Sequence, residues 1–495
     1  MSGAHSFMKV KVAIILFIFM AAIDITILAT IMPHIIAQLG DMELYPLMSS
    51  AFLLSFFLAT PLFGISADHI GCKKTGFVAM FFFLLGSALC GLSFSMKALI
   101  LARLVQGIGA GGLVNICFIT IGKLYHTDSK RSLMQALLSS IWACASIVGP
   151  LAGAFIAQTL SWRWVFFINI PIGVIALLFL YSFEELHPKL NERFDKRGAI
   201  LFVLGGLLTF VAALTIKEQG LDSYPLIFLI AGLLLLIFFI KRAFTIESPL
   251  IPLRLLKNKV IFACIAFGVI SGACLTLSNT LISLYIQGAL RQTMTSAGFV
   301  VTATSIGWTT GSFFCGFLLH RIGLRSVCLT AICMLALGFI LLNQANISLP
   351  LAYFIASNFV VGFGLGAIVN TTIVGMQGAA THKVMGRATT FLSLMRAGGS
   401  SLGALIAGFL QLFYFSSALS QNSGKAVNSQ IASLLLKSPE KFLESSMTGS
   451  VQPLEFQYIC ELFANSISTV FLYPIVLLIL SIPLVVLLPN YQVNK

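Results

Sequence analysis

Three charged side chains stand inside strongly apolar stretches of this sequence: Asp24, Arg103 and Arg396. A charge at the centre of a bilayer costs roughly 2.5–3.5 kcal/mol on insertion scales. Residues of this kind therefore face a cavity, a partner or a transport path. Asp24 is the only carboxylate the sequence places at membrane depth, and a carboxylate shielded from water can exchange a proton near neutral pH. Arginine keeps its charge under any accessible condition, so Arg103 cannot carry that proton. It can hold ionised Asp24 and release it on protonation. The plainer readings are a static ion pair joining two helices and, for Arg103 alone, snorkelling to the interface. Arg396 either meets an anionic group of a substrate or snorkels in the same way.

Two glycine-marked segments carry a different kind of chemistry. Gly64-Ile-Ser-Ala-Asp68-His69-Ile-Gly71-Cys72-Lys73-Lys74 joins two apolar runs. Asp68 there can accept backbone N–H groups or a basic side chain and so latch one conformation; solvated loop charge is the bland alternative. Gly149-Pro150-Leu-Ala-Gly153 lies inside a run, where proline removes a helical hydrogen bond and bends the helix. Gly107, Gly109 and Gly112 fit a dinucleotide fingerprint literally, but that reading needs a strand and a βαβ unit. Inside a membrane helix, small residues are expected to pack against a neighbour. His34 stands alone near one end of the first run, and no Ser/His/Asp set, paired carboxylates or Cys/His ligand spacing accompanies these residues. No enzyme activity, metal or cofactor is expected.

The elements that position these residues follow from composition. The chain has 495 residues, 58% hydrophobic and 9% charged, with a mean hydropathy of +1.00. Soluble domains carry about a quarter charged residues. About fourteen apolar runs approach the ~20 residues that span a bilayer: near 10–31, 46–66, 75–95, 98–122, 134–159, 163–182, 198–216, 225–242, 260–285, 296–318, 326–344, 349–373, 388–413 and 467–488. They must be helices to satisfy their own backbone in lipid. The first is long enough to span and lacks a cleavage site. The net charge of +14 gathers in alternate loops, among them Lys73 and Lys74, Lys130 and Arg131, Lys196 and Arg197, and Arg321 and Arg325. That bias places both termini in the cytoplasm and argues against a nucleic-acid partner.

The chain also repeats itself. The Gly64 segment recurs as Gly316-Phe-Leu-Leu-His320-Arg321-Ile-Gly323, and Gln106-Gly107-Ile-Gly109-Ala-Gly111-Gly112-Leu-Val-Asn115 recurs as Val361-Gly362-Phe-Gly364-Leu-Gly366-Ala367-Ile-Val-Asn370. Two related bundles with a site between them is a transporter architecture. The expected organisation is an all-α membrane protein with a six-helix bundle over 1–183 and a cytoplasmic linker with two inserted helices over 184–258. A second bundle covers 259–495, with an external loop near 414–466 that holds Cys460. Asn358 matches Arg103, and no acid matches Asp24 or appears in the helices of the second bundle, so the chemistry is expected in the first. A proton-pumping respiratory subunit would need charges along several helices, and a channel would need filter loops or charge rings; neither is present.

These motifs resemble those of the major facilitator superfamily, in its fourteen-helix drug:proton antiporter branch. The Gly64–Lys74 turn resembles that family's loop motif, with His69 where an arginine is common. Leu101-Ala-Arg103-Leu-Val-Gln106-Gly107 resembles the motif of its fourth helix. Gly149-Pro150-Leu-Ala-Gly153 is similar to its antiporter motif, with Ala154 where a glycine is frequent. Asp24-Ile-Thr26-Ile27 with Met32-Pro33, and Trp162-Arg163-Trp164 through Asn169-Ile-Pro171, resemble further signatures. The resemblance implies proton-driven export of lipophilic small molecules or drugs from a bacterial inner membrane. In that reading Asp24 is the protonation site, Arg103 its coupling partner, and Gly64, Asp68, Gly71, Lys73 and Lys74 a gating loop. The alternative is a dedicated exporter of one metabolite, such as a siderophore or peptide. The expected partners are a small-molecule substrate, protons and the lipid bilayer, with periplasmic adaptor proteins as a further candidate. The missing second-half acid favours monocationic, neutral or anionic substrates.

Overall fold

The computed structural model describes residues 2–39, 44–125, 127–182, 195–219, 223–246, 249–381, 384–423, 427–437, 442 and 452–489. The predicted linker therefore lies outside the described residues up to position 194, as does much of the predicted external loop. The described chain is helical: α1 (Ser2–Leu39), α2 (Tyr45–His69), α3 (Cys72–Gly91), α4 (Met96–Leu124), α5 (Asp128–Thr159), α6 (Trp164–Phe167), α7 (Asn169–Tyr181), α8 (Lys196–Gln219), α9 (Ser223–Thr245), α10 (Lys259–Leu284), α11 (Met294–Asn343), α12 (Leu351–Ala379), α13 (Met385–Asn422), α14 (Ser429–Lys437), α15 (Pro453–Val470) and α16 (Leu472–Val485). Eleven stretches among the described residues are long and apolar enough to cross a membrane. Large apolar side chains such as Phe81, Phe155, Leu178, Phe409 and Leu480 point outward, each at least 60% exposed. Only lipid can cover that much apolar surface, so the chain is a multi-pass membrane protein.

The helices fall into two units. One holds Met1–Phe262 with Ile373–Leu394; the other holds Ala263–Thr372 with Met395–Lys495. In the first, α4 runs between α2 and α3, and glycine makes the approach possible. A Cβ on Gly107 would lie 2.4 Å from the Phe52 carbonyl oxygen, one on Gly109 2.2 Å from the Phe83 nitrogen, and one on Gly111 2.4 Å from the Phe56 carbonyl oxygen. The second unit repeats this contact by contact. A Cβ on Gly362 would meet the Thr304 carbonyl oxygen at 2.1 Å, one on Gly364 the Leu335 nitrogen at 2.6 Å, and one on Gly366 the Trp308 carbonyl oxygen at 1.9 Å. Asn115 donates to the Thr60 carbonyl at 3.1 Å, and its counterpart Asn370 donates to the Ser312 carbonyl at 2.9 Å. The loop motif repeats as geometry too. Gly71 (φ 90°) starts α3 and Gly323 (φ 79°) breaks α11, and these are the only two positive-φ glycines among the described residues. Glycine adopts that conformation without the Cβ penalty.

α8 and α9 pack on each other, Gly232 against the backbone of Thr209, and α8 packs on α2, Gly206 against Leu58. The last helices start earlier than the apolar pattern suggests, with α15 beginning at Pro453 instead of near 467. Its first turns are amphipathic, so a search for continuous apolar runs passes over them. Cys460 is consequently a buried helix residue, and Glu455 and Glu461 lie on a second-half helix where no acid was expected. α13 likewise extends to Asn422, and the weak pattern near 431–436 is α14.

Candidate functional site

Asp24 and Arg103 meet in the first unit. Arg103 Nη1 donates to Asp24 Oδ2 at 2.6 Å, and the two side chains are each 1% exposed. The carboxylate is ligated on its other oxygen as well: Gln106 Nε2 donates to Oδ1 at 2.8 Å and Asn169 Nδ2 at 3.4 Å. Ser87 Oγ accepts from Asn169 at 3.0 Å and from Gln106 at 3.3 Å, and donates to the Phe166 carbonyl at 2.8 Å. Arg103 also donates to Gln106 Oε1 at 2.7 Å, and its guanidinium lies 4.0 Å over the Phe52 ring. Arg103 and Gln106 are three residues apart and so share a face of α4. Gly86 lets α3 close on them, since a Cβ there would meet the Gln106 nitrogen at 2.3 Å.

This arrangement suits an ionised carboxylate, which accepts three N–H donors and needs no hydrogen of its own. Breaking such a buried pair on one side costs about 3–5 kcal/mol. Besides Asp24, the guanidinium has Gln106 Oε1 and the Phe52 ring as partners.

Gly149 and Gly153 sit directly against the residues that follow Asp24. A Cβ on Gly149 would lie 2.2 Å from Thr26 Oγ1, and one on Gly153 2.6 Å from Ile27 Cγ1. Thr26 Oγ1 donates to the Ala145 carbonyl at 2.9 Å, tying α1 to α5. α5 is continuous helix through position 150; the Pro150 side chain lies outside those described, as do those of Met32, Pro33, His34 and His320.

Asp68 makes a second buried cluster in the same unit. Its carboxylate accepts the Gly386 N–H at 3.1 Å and the Arg387 N–H at 2.9 Å, in the first turn of α13. Lys123 Nζ lies 3.4 Å from it and Arg387 Nε 3.8 Å. A carboxylate is favoured at a helix N-terminus, where N–H groups lack partners. Around it, Asn115 donates to Thr390 Oγ1 at 2.5 Å, Gln135 to Gln377 Oε1 at 3.1 Å, and Gln377 to the Phe118 carbonyl at 3.0 Å. Gly64 faces Thr390, whose Oγ1 would be 2.0 Å from an added Cβ. Lys73 turns elsewhere, donating to the Tyr181 carbonyl at 2.6 Å, and Lys74 is exposed. In the second copy of the turn, Arg325 donates to the Val486 and Leu488 carbonyls instead.

Arg396 lies on α13 in the other unit, half-buried, with its backbone carbonyl against Gly272. The second-half counterpart of that cluster is neutral: Ser278, 254 residues after Asp24, donates to Asn358 Oδ1 at 3.5 Å, and Thr304 does so at 3.3 Å. No group of His, Cys, Asp and Glu able to hold a metal occurs among the described residues. The residues missed by sequence reasoning are Ser87 and the ligand roles of Gln106 and Asn169. The available signal was that each is a polar residue inside an apolar run; which ones converge is a matter of tertiary packing.

The sequence profile of the Major Facilitator Superfamily matches residues 14–404. Among similar proteins, Multidrug resistance protein 3 of Bacillus subtilis is 28% identical over 95% of this chain and 93% of its own length. Multidrug efflux pump SdrM of Staphylococcus aureus is 28% identical over 81% of this chain and 88% of its own. Among solved structures, the human organic anion transporter MFSD10 superposes with a TM-score of 0.60 at 16% identity, covering 95% of this chain and 99% of that one. The proton:xylose symporter XylE does so with a TM-score of 0.56 at 12% identity, over 96% of each. These two likenesses concern the fold.

Proposed function

The chain belongs to the major facilitator superfamily, and from that premise we propose that it is a proton-coupled secondary transporter exporting lipophilic small molecules by alternating access. The observation that carries the coupling is the buried Asp24–Arg103 pair at 2.6 Å, with Gln106 and Asn169 completing the carboxylate's ligands. Asp24 is the protonation site and Arg103 the partner that loses its hold when the proton arrives. α1 then shifts against α4. Because Gly149 and Gly153 seat α5 on Thr26 and Ile27, α5 moves with α1. Asp68 latches the start of α13 and sets which conformation persists between cycles, with Gly64, Gly71, Lys73 and Lys74 as its gating loop. The chemistry is transport, with no covalent step assigned to any residue.

In this reading the chain crosses the bacterial cytoplasmic membrane fourteen times, with both termini in the cytoplasm. A bundle over 1–183 and a bundle over 259–495 flank the inserted pair within 184–258. The two similar proteins named as multidrug transporters support export of drugs over one dedicated metabolite. Arg396 is the proposed contact for an anionic substrate group.

The test is efflux of ethidium from energised cells carrying the wild type or Asp24→Asn, with and without an uncoupler. Uncoupler-sensitive efflux by the wild type that is lost in the variant is the expected result. Wild-type efflux indifferent to the uncoupler would end the proton-coupled reading. No efflux from cells with the protein in the membrane would end the multidrug reading and favour a dedicated metabolite.

A further inference from the structure

Among the described residues, the inserted pair α8–α9 contributes none to the Asp24 or the Asp68 cluster, yet it builds a feature of its own in the first unit. α8 meets α2 closely at Gly206, where a Cβ would lie 2.5 Å from Leu58, and Phe202 packs on Phe57 with ring centroids 6.0 Å apart. Toward the start of α8 a groove of about 740 Å³ opens between α8, α2, α3 and α4. Its walls are apolar, among them Leu62, Phe82, Ile108 and Val203. Two polar side chains line it, Ser66 and Lys196. The carboxylate nearest in sequence to Lys196 is already engaged: Asp195 Oδ1 accepts from the Gly198 N–H and from Arg242 Nε, both at 2.9 Å. Lys196 itself is exposed, and exposed Lys74 stands one turn before Val78, on the α3 face that lines the groove.

We propose that this groove is a specific site for an anionic phospholipid. Its walls are membrane helices, so its occupant comes from the bilayer. It is apolar along its length, which fits an acyl chain, and cationic where α8 begins, which fits a phosphate held by Lys196 and Lys74 with Ser66 donating. A second groove of about 600 Å³ between α3 and α7, lined by Phe77, Phe81 and Leu84 among others, has no charged lining residue. It takes acyl chains without regard to headgroup and serves as an internal comparison. Ser66 lies two residues from both Gly64 and Asp68. A lipid here therefore braces the end of α2 that holds the start of α13, which gives the inserted pair a role separate from the site of protonation.

The experiment is native mass spectrometry of the purified full-length protein, stripped of lipid and offered equal phosphatidylglycerol and phosphatidylcholine with matched chains. Each lysine near a surface favours an anionic headgroup, so the wild type should prefer phosphatidylglycerol by on the order of tenfold. Lys196→Gln should remove most of that preference, and adding Lys74→Gln the remainder. Ile200→Trp fills the groove, keeps both lysines, and should lower retention of phosphatidylglycerol specifically. Millimolar glycerol 3-phosphate should leave the bound lipid in place; displacement would mean a site for free phosphate and overturn the proposal. Equal retention of the two lipids by the wild type, an undiminished preference in the lysine variants, or a copurifying polypeptide in the groove would also overturn it.

Discussion

Asp24→Asn removes one charge and almost no volume, so its cost reports on the ion pair directly. The native carboxylate accepts from Arg103 at 2.6 Å, Gln106 at 2.8 Å and Asn169 at 3.4 Å. An amide at position 24 keeps an oxygen for Gln106 and Asn169 but turns an NH2 group toward Arg103, so a donor faces a donor. The guanidinium keeps Gln106 Oε1 at 2.7 Å and the Phe52 ring at 4.0 Å. An uncompensated buried charge costs about 3–5 kcal/mol, and these surviving contacts put the expected loss near the lower end, about 3 kcal/mol. Arg103→Gln should cost a similar amount by stranding the carboxylate. The double variant Asp24→Asn/Arg103→Gln strands nothing. Its loss should therefore be smaller than either single loss, because a buried pair replaced by neutral groups leaves no uncompensated charge. Thermal midpoints of the purified proteins give the ordering, and dye transport by proteoliposomes with an imposed proton gradient gives the function. A pair that only joins two helices would recover stability and uphill transport together. Proton coupling through Asp24 requires that the double variant recover stability and downhill dye movement while uphill transport stays lost. Uphill transport by the double variant would refute the assignment.

Four further outcomes are expected. Gly386→Ala places a Cβ about 2.4 Å from Asp68 Oδ1; it should displace the start of α13 and lower turnover severalfold while dye binding persists, which transport and binding assays on one preparation separate. Gly111→Ala forces a Cβ against the Phe56 carbonyl oxygen at 2.4 Å and should cost about 1–3 kcal/mol. Gly398→Ala meets nothing within 4 Å and should leave the thermal midpoint within error of the wild type. A membrane-impermeant thiol reagent should label a cysteine placed near residue 430 on intact cells and spare one near residue 190; the reverse would invert the topology.

The repeated glycine contacts were legible in the sequence because close helix packing demands glycine at fixed places. An offset of 252 residues relates Phe52, Phe56 and Phe83 to Thr304, Trp308 and Leu335, and every glycine opposite them finds its counterpart. Asp24 and Arg103 were legible because a charge in an apolar run needs a reason. Asn169 and Ser87 were less so, since a neutral amide or hydroxyl in a membrane helix can satisfy itself on its own turn, as Thr60 does on the Phe56 carbonyl. The first turns of α15 were hidden by their amphipathic pattern, and with them Glu455 and Glu461. Nor could the sequence indicate that residues 373–394, from its second half, pack in the unit built mainly from its first.

The two halves have diverged unevenly, and the physics accounts for the pattern. A Cβ at Gly107 or Gly362 would strike backbone, and backbone cannot yield without moving a whole helix. Packing glycines are therefore fixed in both copies. The polar slots have more freedom, because a buried charge pair can be replaced by well-matched neutral groups with little or no loss of stability. Ser278 and Asn358 are such a replacement for Asp24 and Arg103. The neutral slot in the second half keeps the same helix contacts and has no charge to satisfy when its helices move. In the proposed mechanism, then, a proton acts on only one of these two matched slots, the one that holds Asp24, while the packing glycines serve both halves alike.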